Sequence, residues 1–417
     1  MKIEELHGKR ILILGYGREG KATHAFLKKF VPDAVVGTSD QSDGPDYLEV
    51  QAQYDLAIKT PGIPKRLVTI PYTTATNLFF ANLPASAKTI GITGSKGKST
   101  TTTLIYRILQ AAGQHVKLAG NIGKPMLAEL MEPVLEDTIF VLELSSYQLE
   151  DLAYSPNISV FLNVFPEHLD YHGGLEEYFL AKSRIVAHAQ SGDSFVYNSA
   201  HQRIADLALR TKAHAIPFVK KIPFDWGSSA LQGKHNEEDI RAAVTVAKLF
   251  DVPMDVIHTT VLAFEPLPHR MQFVGEFGGI KWYDDAIATA PEPTMYAIDT
   301  LGDVDTIFLG GTDRGLEFDK LAEKVCGAGI HNVVLFPDTG ARIAEALKHH
   351  CDHQLNMLET KSMEEAVKFA SKHTEKGKSC LLSTASPSYS LWKDFEEKGN
   401  VFQKWVRVIS SAYDTQT

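Results

Sequence analysis

The chain has 417 residues, 44% of them apolar and 22% charged, the balance of a folded globular protein with room for about three domains of roughly 150 residues each. A formal net charge of −9 excludes a dedicated nucleic-acid binder, which needs a basic footprint to release counterions; a local cradle of backbone N–H groups still serves a small anion. No apolar run reaches the roughly 18 residues of a membrane span, the N-terminus leads straight into a strand pattern, and the three cysteines have no CxxC spacing. A cytoplasmic chain without membrane insertion or a disulfide framework is therefore expected.

In chain order, RILILG reads as a short buried strand, Lys21 to Phe30 as a helix, and AVVGTSD and DLAIKTPG as two further strands. Small residues from Pro84 to Ala87 separate these from the next strand, KTIGITG. A helix follows from Ser99 to about Ala112, then strands at DTIFVLELSS and ISVFLNVF. The stretch Asn236 to Phe250 is helical, with Ile240, Ala243, Val244, Ala247 and Phe250 on one face and Asn236 and Asp239 as cap and partner. Beyond Glu265-Pro-Leu-Pro-His269, Gly278-Gly279 between MQFVGEF and IKWYDD signals a two-residue hairpin. Strands TIFLGG, NVVLF and CLLST then alternate with helices around Arg342, Glu364 and Glu396. Trp282, Trp392 and Trp405 read as core, and the spacing of His349, His350, Cys351 and His353 fits no metal-ligand pattern. The alternation predicts α/β architecture with largely parallel sheets in three domains, 1–87, 88–265 and 266–417.

Two glycine-rich turns carry chemistry. Gly91-Ile-Thr-Gly-Ser-Lys-Gly-Lys-Ser99 joins a strand to a helix, the recipe for a phosphate cradle: backbone N–H groups and a helix N-terminus face the anion, Lys98 reaches the outer phosphates and a hydroxyl ligates Mg²⁺. The general pattern GxxxxGK[ST] wants glycine at position 92, where this chain has Ile92. Gly15-Tyr-Gly-Arg-Glu-Gly20 also follows a strand, and Asp40 lies twenty residues past its last glycine. That is a dinucleotide fingerprint, which admits an NAD-dependent oxidoreductase as well as any nucleotide-diphosphate binder. Glu143, at the end of a buried strand in Glu143-Leu-Ser-Ser-Tyr-Gln148, stands where a phosphate-bound metal is held. Asn163-Val-Phe-Pro-Glu-His168-Leu-Asp170 places an imidazole and two carboxylates at a neighbouring strand end, and Lys182 on its own reads as a solvated helix lysine.

Taken together, GITGSKGKST, GNIG, ELSSYQLE, NVFPEHLD, AKSRI, HNEEDIRAA, LPHRMQ, WYDDAIAT, LGGT and SPSYSLWKDFEEKGN resemble, in order and spacing over nearly the whole chain, the Mur ligases of peptidoglycan synthesis. The resemblance implies an N-terminal Rossmann-like UDP-binding domain, a central P-loop ATPase domain and a C-terminal Rossmann-like domain. It implies an ATP-dependent ligase with ATP and Mg²⁺ as cofactors, UDP-N-acetylmuramoyl-L-alanine and glutamate as partners, and a monomer as the working form. ATP phosphorylates the alanine carboxylate, and the glutamate amine displaces phosphate from the acyl phosphate.

By the same resemblance Gly94, Ser95, Lys96, Gly97, Lys98, Ser99, Thr100, Asn121, Asn236, Arg270 and Asp285 contact ATP. Ser99, Glu143, His168 and a carbamylated Lys182 hold metal; Lys98, Glu143, His168 and Lys182 form the catalytic set. Gly15, Tyr16, Gly17, Ser39, Asp40, Thr60, Pro61 and Gly62 hold the UDP moiety, and Thr289, Arg314, Ser388, Tyr389 and Phe395 the amino acid. Two departures stand out. Ser95-Lys96 replaces the usual Thr-Asn, adding a cation at the phosphates, and Asp285-Ala-Ile287-Ala-Thr289 lacks the lysine that helps recognise glutamate. D-Glutamate is the first expectation, L-glutamate or another amino acid the alternative; an NAD-dependent oxidoreductase and a nucleotide-gated binding protein without activity are the competitors from other classes.

Overall fold

The computed structural model describes residues 1–414 except His168, Gln232, Pro266, Leu267 and Arg314. The chain forms two compact units, Met1–Glu265 and Pro266–Thr417.

The first unit holds two sheets. Strands β1 (Arg10–Leu14), β2 (Val35–Ser39), β3 (Leu56–Lys59) and β4 (Tyr72–Thr74) form a parallel sheet in the order β2-β1-β3-β4. Ile11 to Leu14 are fully buried, because a parallel strand covered on both faces is apolar along its length rather than alternating. Helices α1 (Arg18–Phe30) and α2 (Ala75–Ala81) belong to this layer. Helix α1 begins three residues earlier than the sequence suggested, since Gly17 takes the extended N-cap conformation.

The second sheet contains β5 (Lys88–Thr93), β6 (Val116–Gly120), β7 (Ile139–Glu143), β8 (Ile158–Phe161), β9 (Ser194–Tyr197) and β10 (His214–Pro217), all parallel, in the order β10-β9-β8-β5-β7-β6. Its helices are α3 (Lys98–Ala111), α4 (Met126–Glu129), α5 (Ser146–Leu149), α6 (Leu169–His172), α7 (Leu175–Ser183), α8 (Gln202–Ala208), α9 (Lys234–Lys248) and α10 (Met254–Leu262). The pairings Ile92↔Glu143, Gly120↔Glu143 and Thr93↔Phe161 bring the ends of β5 to β8 to one edge. An apolar cluster joins the two sheets, with the rings of Phe79 and Phe140 edge to face at 5.2 Å. The boundary expected at 87/88 thus lies inside the first unit. Helix α9 starts at Lys234 behind Gly233 (φ 88°), so Asn236 sits in the first turn and is not its cap.

The second unit has one sheet of β11 (Gln272–Phe277), β12 (Ile280–Asp284), β13 (Val304–Gly310), β14 (Asn332–Phe336), β15 (Asn356–Glu359) and β16 (Ser379–Leu382), ordered β11-β12-β16-β13-β14-β15. Only the β11–β12 pair is antiparallel, turned by Gly278 (φ 61°) and Gly279 (φ 81°) as the two-glycine signal predicts. Helices α11 (Pro291–Leu301), α12 (Asp319–Gly327), α13 (Gly340–His350), α14 (Met363–His373) and α15 (Phe395–Asp414) cover it with two apolar clusters. Trp282 is buried, and Trp392 and Trp405 pack against the same core. Strand β15 escaped the sequence reading because its four residues are half exposed at the sheet edge and carry no alternation.

One expectation is corrected. Cys326 and Cys351 form a disulfide between the ends of α12 and α13, leaving Cys380 as the free, buried thiol. The absence of CxxC spacing could not exclude a bridge between residues brought together by tertiary packing. Among the described residues no helix is long and apolar enough to cross a membrane. Thiol titration of unreduced protein in denaturant is expected to count one cysteine; a count of three rejects the bridge.

Candidate active site

The phosphate loop is shorter than its pattern. Ile92 is the penultimate residue of β5 and is fully buried in the core, so the turn itself is Gly94-Ser95-Lys96-Gly97 and a side chain at 92 packs rather than obstructs. Gly97 is the αL N-cap of α3 (φ 80°); a Cβ there would lie 2.2 Å from Asp239 Oδ1. Asp239, in α9, accepts a hydrogen bond from Thr101 Oγ1 at 2.9 Å, and burial raises its pKa well above the carboxylate range. Asn236 stands one turn earlier in α9, bringing that residue to the same side of the helix. Asn163 clasps the loop backbone from β8's end: Lys96 N–H donates to its Oδ1 (2.9 Å) and its Nδ2 donates to Lys96 O (3.1 Å). Phe165 N–H donates to Ser95 Oγ at 2.8 Å. The Lys96 ammonium pairs with Glu167, so the extra cation expected at the phosphates is partly neutralised by a neighbouring carboxylate. Lys98 Nζ donates to Gly94 O (3.0 Å) and Ser95 O (2.8 Å), while Ser99 is buried and Thr100 half-buried in the first turn of α3.

Opposite the loop, Glu143 is buried at the end of β7. Its Oε1 accepts from Asn121 Nδ2 at 2.7 Å, and its Oε2 has no hydrogen-bond partner among the described residues. Lys182 is not the solvated lysine that its local sequence suggested. It is 1% exposed, its Nζ donates to Gly94 O at 2.7 Å, and it lies 4.7 Å from the centre of the Tyr178 ring. Burial, reinforced by the like charge of Lys98, pushes its pKa well below the ordinary lysine value. His168 lies outside the described residues.

The loops after β1, β2 and β3 gather the other predicted residues. Gly15 (φ 90°) leaves no room for a Cβ, which would stand 2.0 Å from Thr60 Oγ1. Gly15 N–H donates to Ser39 O, and Tyr16 N–H donates to Asp40 Oδ2 at 2.6 Å. Asp40 Oδ1 accepts from Ser42 N–H at 3.1 Å, so this carboxylate holds its own loops together. Pro61 and Gly62 follow β3, and Tyr171 OH donates to Pro61 O at 3.3 Å. The turn after β1 reaches the second sheet's loops through two side chains: Arg18 Nη2 donates to Gly120 O at 3.1 Å, next to Asn121, and Glu19 Oε2 accepts from Gln148 Nε2 at 3.4 Å. With four strands the sheet is two short of the six-stranded arrangement that receives a dinucleotide.

In the second unit, the residues on either side of Arg270 are both left-handed, His269 at φ 60° and Met271 at φ 46°. Such conformations cost about 1–2 kcal/mol each for non-glycine residues. His269 Nδ1 donates to Asp284 Oδ2 (2.7 Å) and Met271 N–H to Asp285 Oδ1 (3.2 Å), bonds that work against the strain and present Arg270 beside Asp285. Burial raises the Asp285 carboxyl to about 7. Lys398, unnoticed in the sequence, is fully buried here, donates to Thr384 Oγ1, and is lowered by burial to about 7. Its spacing with Phe402 and Val406, both fully buried, is the signal that marks it as inward-facing. Ser388 is buried with no hydrogen-bond partner for Oγ among the described residues, Tyr389 is exposed, Phe395 packs on the core, and Thr289 and Ile287 are half-buried. Arg314 lies outside the described residues.

This combination of doubly covered parallel sheets, a P-loop and a buried carboxylate–lysine pair defines a nucleotide-dependent enzyme. The Mur ligase middle domain family matches residues 92–277, and the family described as Mur ligase, glutamate ligase domain matches residues 269–386. The UDP-N-acetylmuramoyl-L-alanine--L-glutamate ligase of Salinispora tropica is 33% identical, with 98% of this chain and 99% of the relative covered. The UDP-N-acetylmuramoylalanine--D-glutamate ligase of Halalkalibacterium halodurans is 31% identical over 96% and 97%. The MurF ligase of Thermotoga maritima in complex with ADP shares the fold, with TM-score 0.58 at 16% identity, covering 98% and 97% of the two chains. The chain belongs to the Mur ligase family and is an ATP-dependent ligase.

Gly97→Ala forces a Cβ onto Asp239 and is expected to destabilise the protein by about 1–3 kcal/mol and to impair nucleotide binding, read by thermal unfolding with and without ADP. A second expectation concerns pH. Lys398 titrates near 7 when folded and at its ordinary 10.5 when unfolded, so the unfolded state binds more protons between these values and stability from this group rises with pH across that window. Lys398→Met should flatten that rise in a series of melting curves from pH 7 to 10; an unchanged slope rejects the assignment.

Proposed function

We propose that the enzyme joins D-glutamate to the alanine carboxylate of UDP-N-acetylmuramoyl-L-alanine, in peptidoglycan precursor synthesis, by way of an acyl phosphate. The observation that carries this reading is the continuous path Arg18–Gly120–Asn121–Glu143, which joins the turn after β1 to the carboxylate facing the P-loop within one unit. One phosphorylated ligand at the first turn and ATP at the second would then meet across this path. The relatives' names supply the two substrates.

Lys98 exchanges its bonds to Gly94 and Ser95 carbonyls for phosphate oxygens, while the N–H groups of Gly97 to Thr100 at the start of α3 cradle the chain of phosphates. The donor set fits Mg²⁺, because Glu143 Oε2 is a buried hard oxygen without a partner and Ser99 lies at the first turn of α3. Bound Mg²⁺ supplies charge neutralisation between the two anions that must react. An ammonium as buried as Lys182 would cost several kcal/mol, whereas its neutral amine can add to carbon dioxide with release of a proton, and the resulting carbamate presents anionic oxygens for the metal set that also includes His168. Gly15, Tyr16, Gly17, Ser39, Asp40, Thr60, Pro61 and Gly62 hold the UDP moiety. Asn121, Asn236, Arg270 and Asp285 are further nucleotide contacts, and Thr289, Arg314, Ser388, Tyr389 and Phe395 receive the amino acid. A cytoplasmic monomer suits this chemistry.

L-Glutamate is the second reading, favoured by Ile287 in place of a lysine and by the Salinispora relative. Loss of a charged contact costs about 1.5–3 kcal/mol, enough to redirect stereochemistry if other groups orient the α-carboxylate. Phosphate release is expected to require ATP, Mg²⁺, the UDP-linked acceptor and glutamate together, and chiral analysis of the product separates the two isomers. Turnover without acceptor, or inactivity with both isomers, contradicts the proposal. Lys182→Ala should lower turnover by about a hundredfold or more, with partial recovery on adding a short-chain carboxylic acid; unaltered turnover removes the carbamate.

A further inference from the structure

A groove of about 1000 Å³ lies on the first unit, walled by the β4 edge, by α7 and the residues after it, and by the segment following α8. None of the phosphate-loop residues, nor Asn121 or Glu143, lines it. Its size reaches the upper end of ordinary small-molecule sites, which run from about 300 to 1000 Å³.

Arg184 stands in the wall, half-buried. Its Nε is closed to water and has no hydrogen-bond acceptor, and its guanidinium enters no ion pair among the described residues. Leaving such a donor unmet costs about 1–3 kcal/mol. The nearest acids are already committed. Asp151 lies 3.1 Å from Lys59 Nζ and accepts from Tyr72 OH at 3.0 Å, and Glu150 faces Lys65 at 3.6 Å and accepts from Tyr171 OH. Arg210 and Lys212, also lining the groove, are exposed and form no ion pair among the described residues, while Glu177 is the remaining acid. The uncommitted charge is therefore positive.

We propose that this groove binds a phosphate group, with Arg184 as the bidentate fork and Arg210 and Lys212 as the outer cations. A guanidinium matches phosphate geometry through paired N–H donors, and the cavity volume leaves room for an organic body on the phosphate. The site bears on catalysis through α7. Arg184 follows that helix directly, two residues beyond Lys182, whose amine bonds the phosphate loop at Gly94 O. His172, also in the groove wall, bonds Ser146 Oγ at 3.0 Å in the first residue of α5, which follows Glu143.

Calorimetric titration of the full chain with glucose 6-phosphate and, separately, inorganic phosphate tests the site, using wild type, Lys98→Ala, Arg184→Gln and the exposed double variant Arg210→Gln/Lys212→Gln. Binding should survive Lys98→Ala and weaken about tenfold or more in Arg184→Gln and in the double variant, whose surface changes leave folding intact. Tighter binding of glucose 6-phosphate assigns the site to organic phosphates, and equal binding assigns it to free phosphate. Binding lost in Lys98→Ala but kept in the other variants places the anion at the P-loop and overturns the proposal, as does no binding of either probe at millimolar concentration.

Discussion

Everything at the candidate site of the first unit depends on burying the Lys182 amine against Gly94 O. Sealing this lysine from water beside Lys98 penalises its protonated form, so the helix that carries it brings an amine with a lowered proton affinity to the mouth of a phosphate loop. The loop in turn is fixed from three sides: Asn163 grips its backbone, Asp239 fills the space below Gly97, and Glu167 balances Lys96. Preorganisation of this kind places charge where a transferring phosphoryl group develops it, without reorganisation during the reaction.

The second unit holds strained backbone on both sides of one arginine. Two left-handed residues flank Arg270, and both are tied to adjacent aspartates at the end of β12. Gly399 permits this arrangement, since a Cβ there would sit 2.1 Å from His269 Nδ1. Local strain held by hydrogen bonds is what a clamp for an exposed arginine requires.

Most strands were legible because parallel, doubly covered strands leave continuous apolar runs between glycine turns, whereas β4, β6, β9, β10 and β15, short and only partly buried, were not; both phosphate-type loops announced themselves by glycine spacing. The mismatch at Ile92 was resolved only by the structure, which counts that residue in the strand. Lys182 could not be read as buried from local sequence, because its burial depends on tertiary neighbours such as Gly94, whereas Lys398 left a signal in its spacing with Phe402 and Val406. The pairing of Lys96 with Glu167 and the bridge between Cys326 and Cys351 likewise arise between segments distant in the chain. Asp239 was given a capping role by its spacing, whereas packing of α9 on α3 turns it toward Thr101.

The central claim is that the phosphoryl group passes to a carboxylate. Turnover of UDP-N-acetylmuramoyl-L-alanine labelled with oxygen-18 in its alanine carboxylate, followed by mass analysis of the released phosphate, tests it most directly. Transfer of one labelled oxygen into phosphate is the predicted result, and unlabelled phosphate alongside full product formation would contradict it.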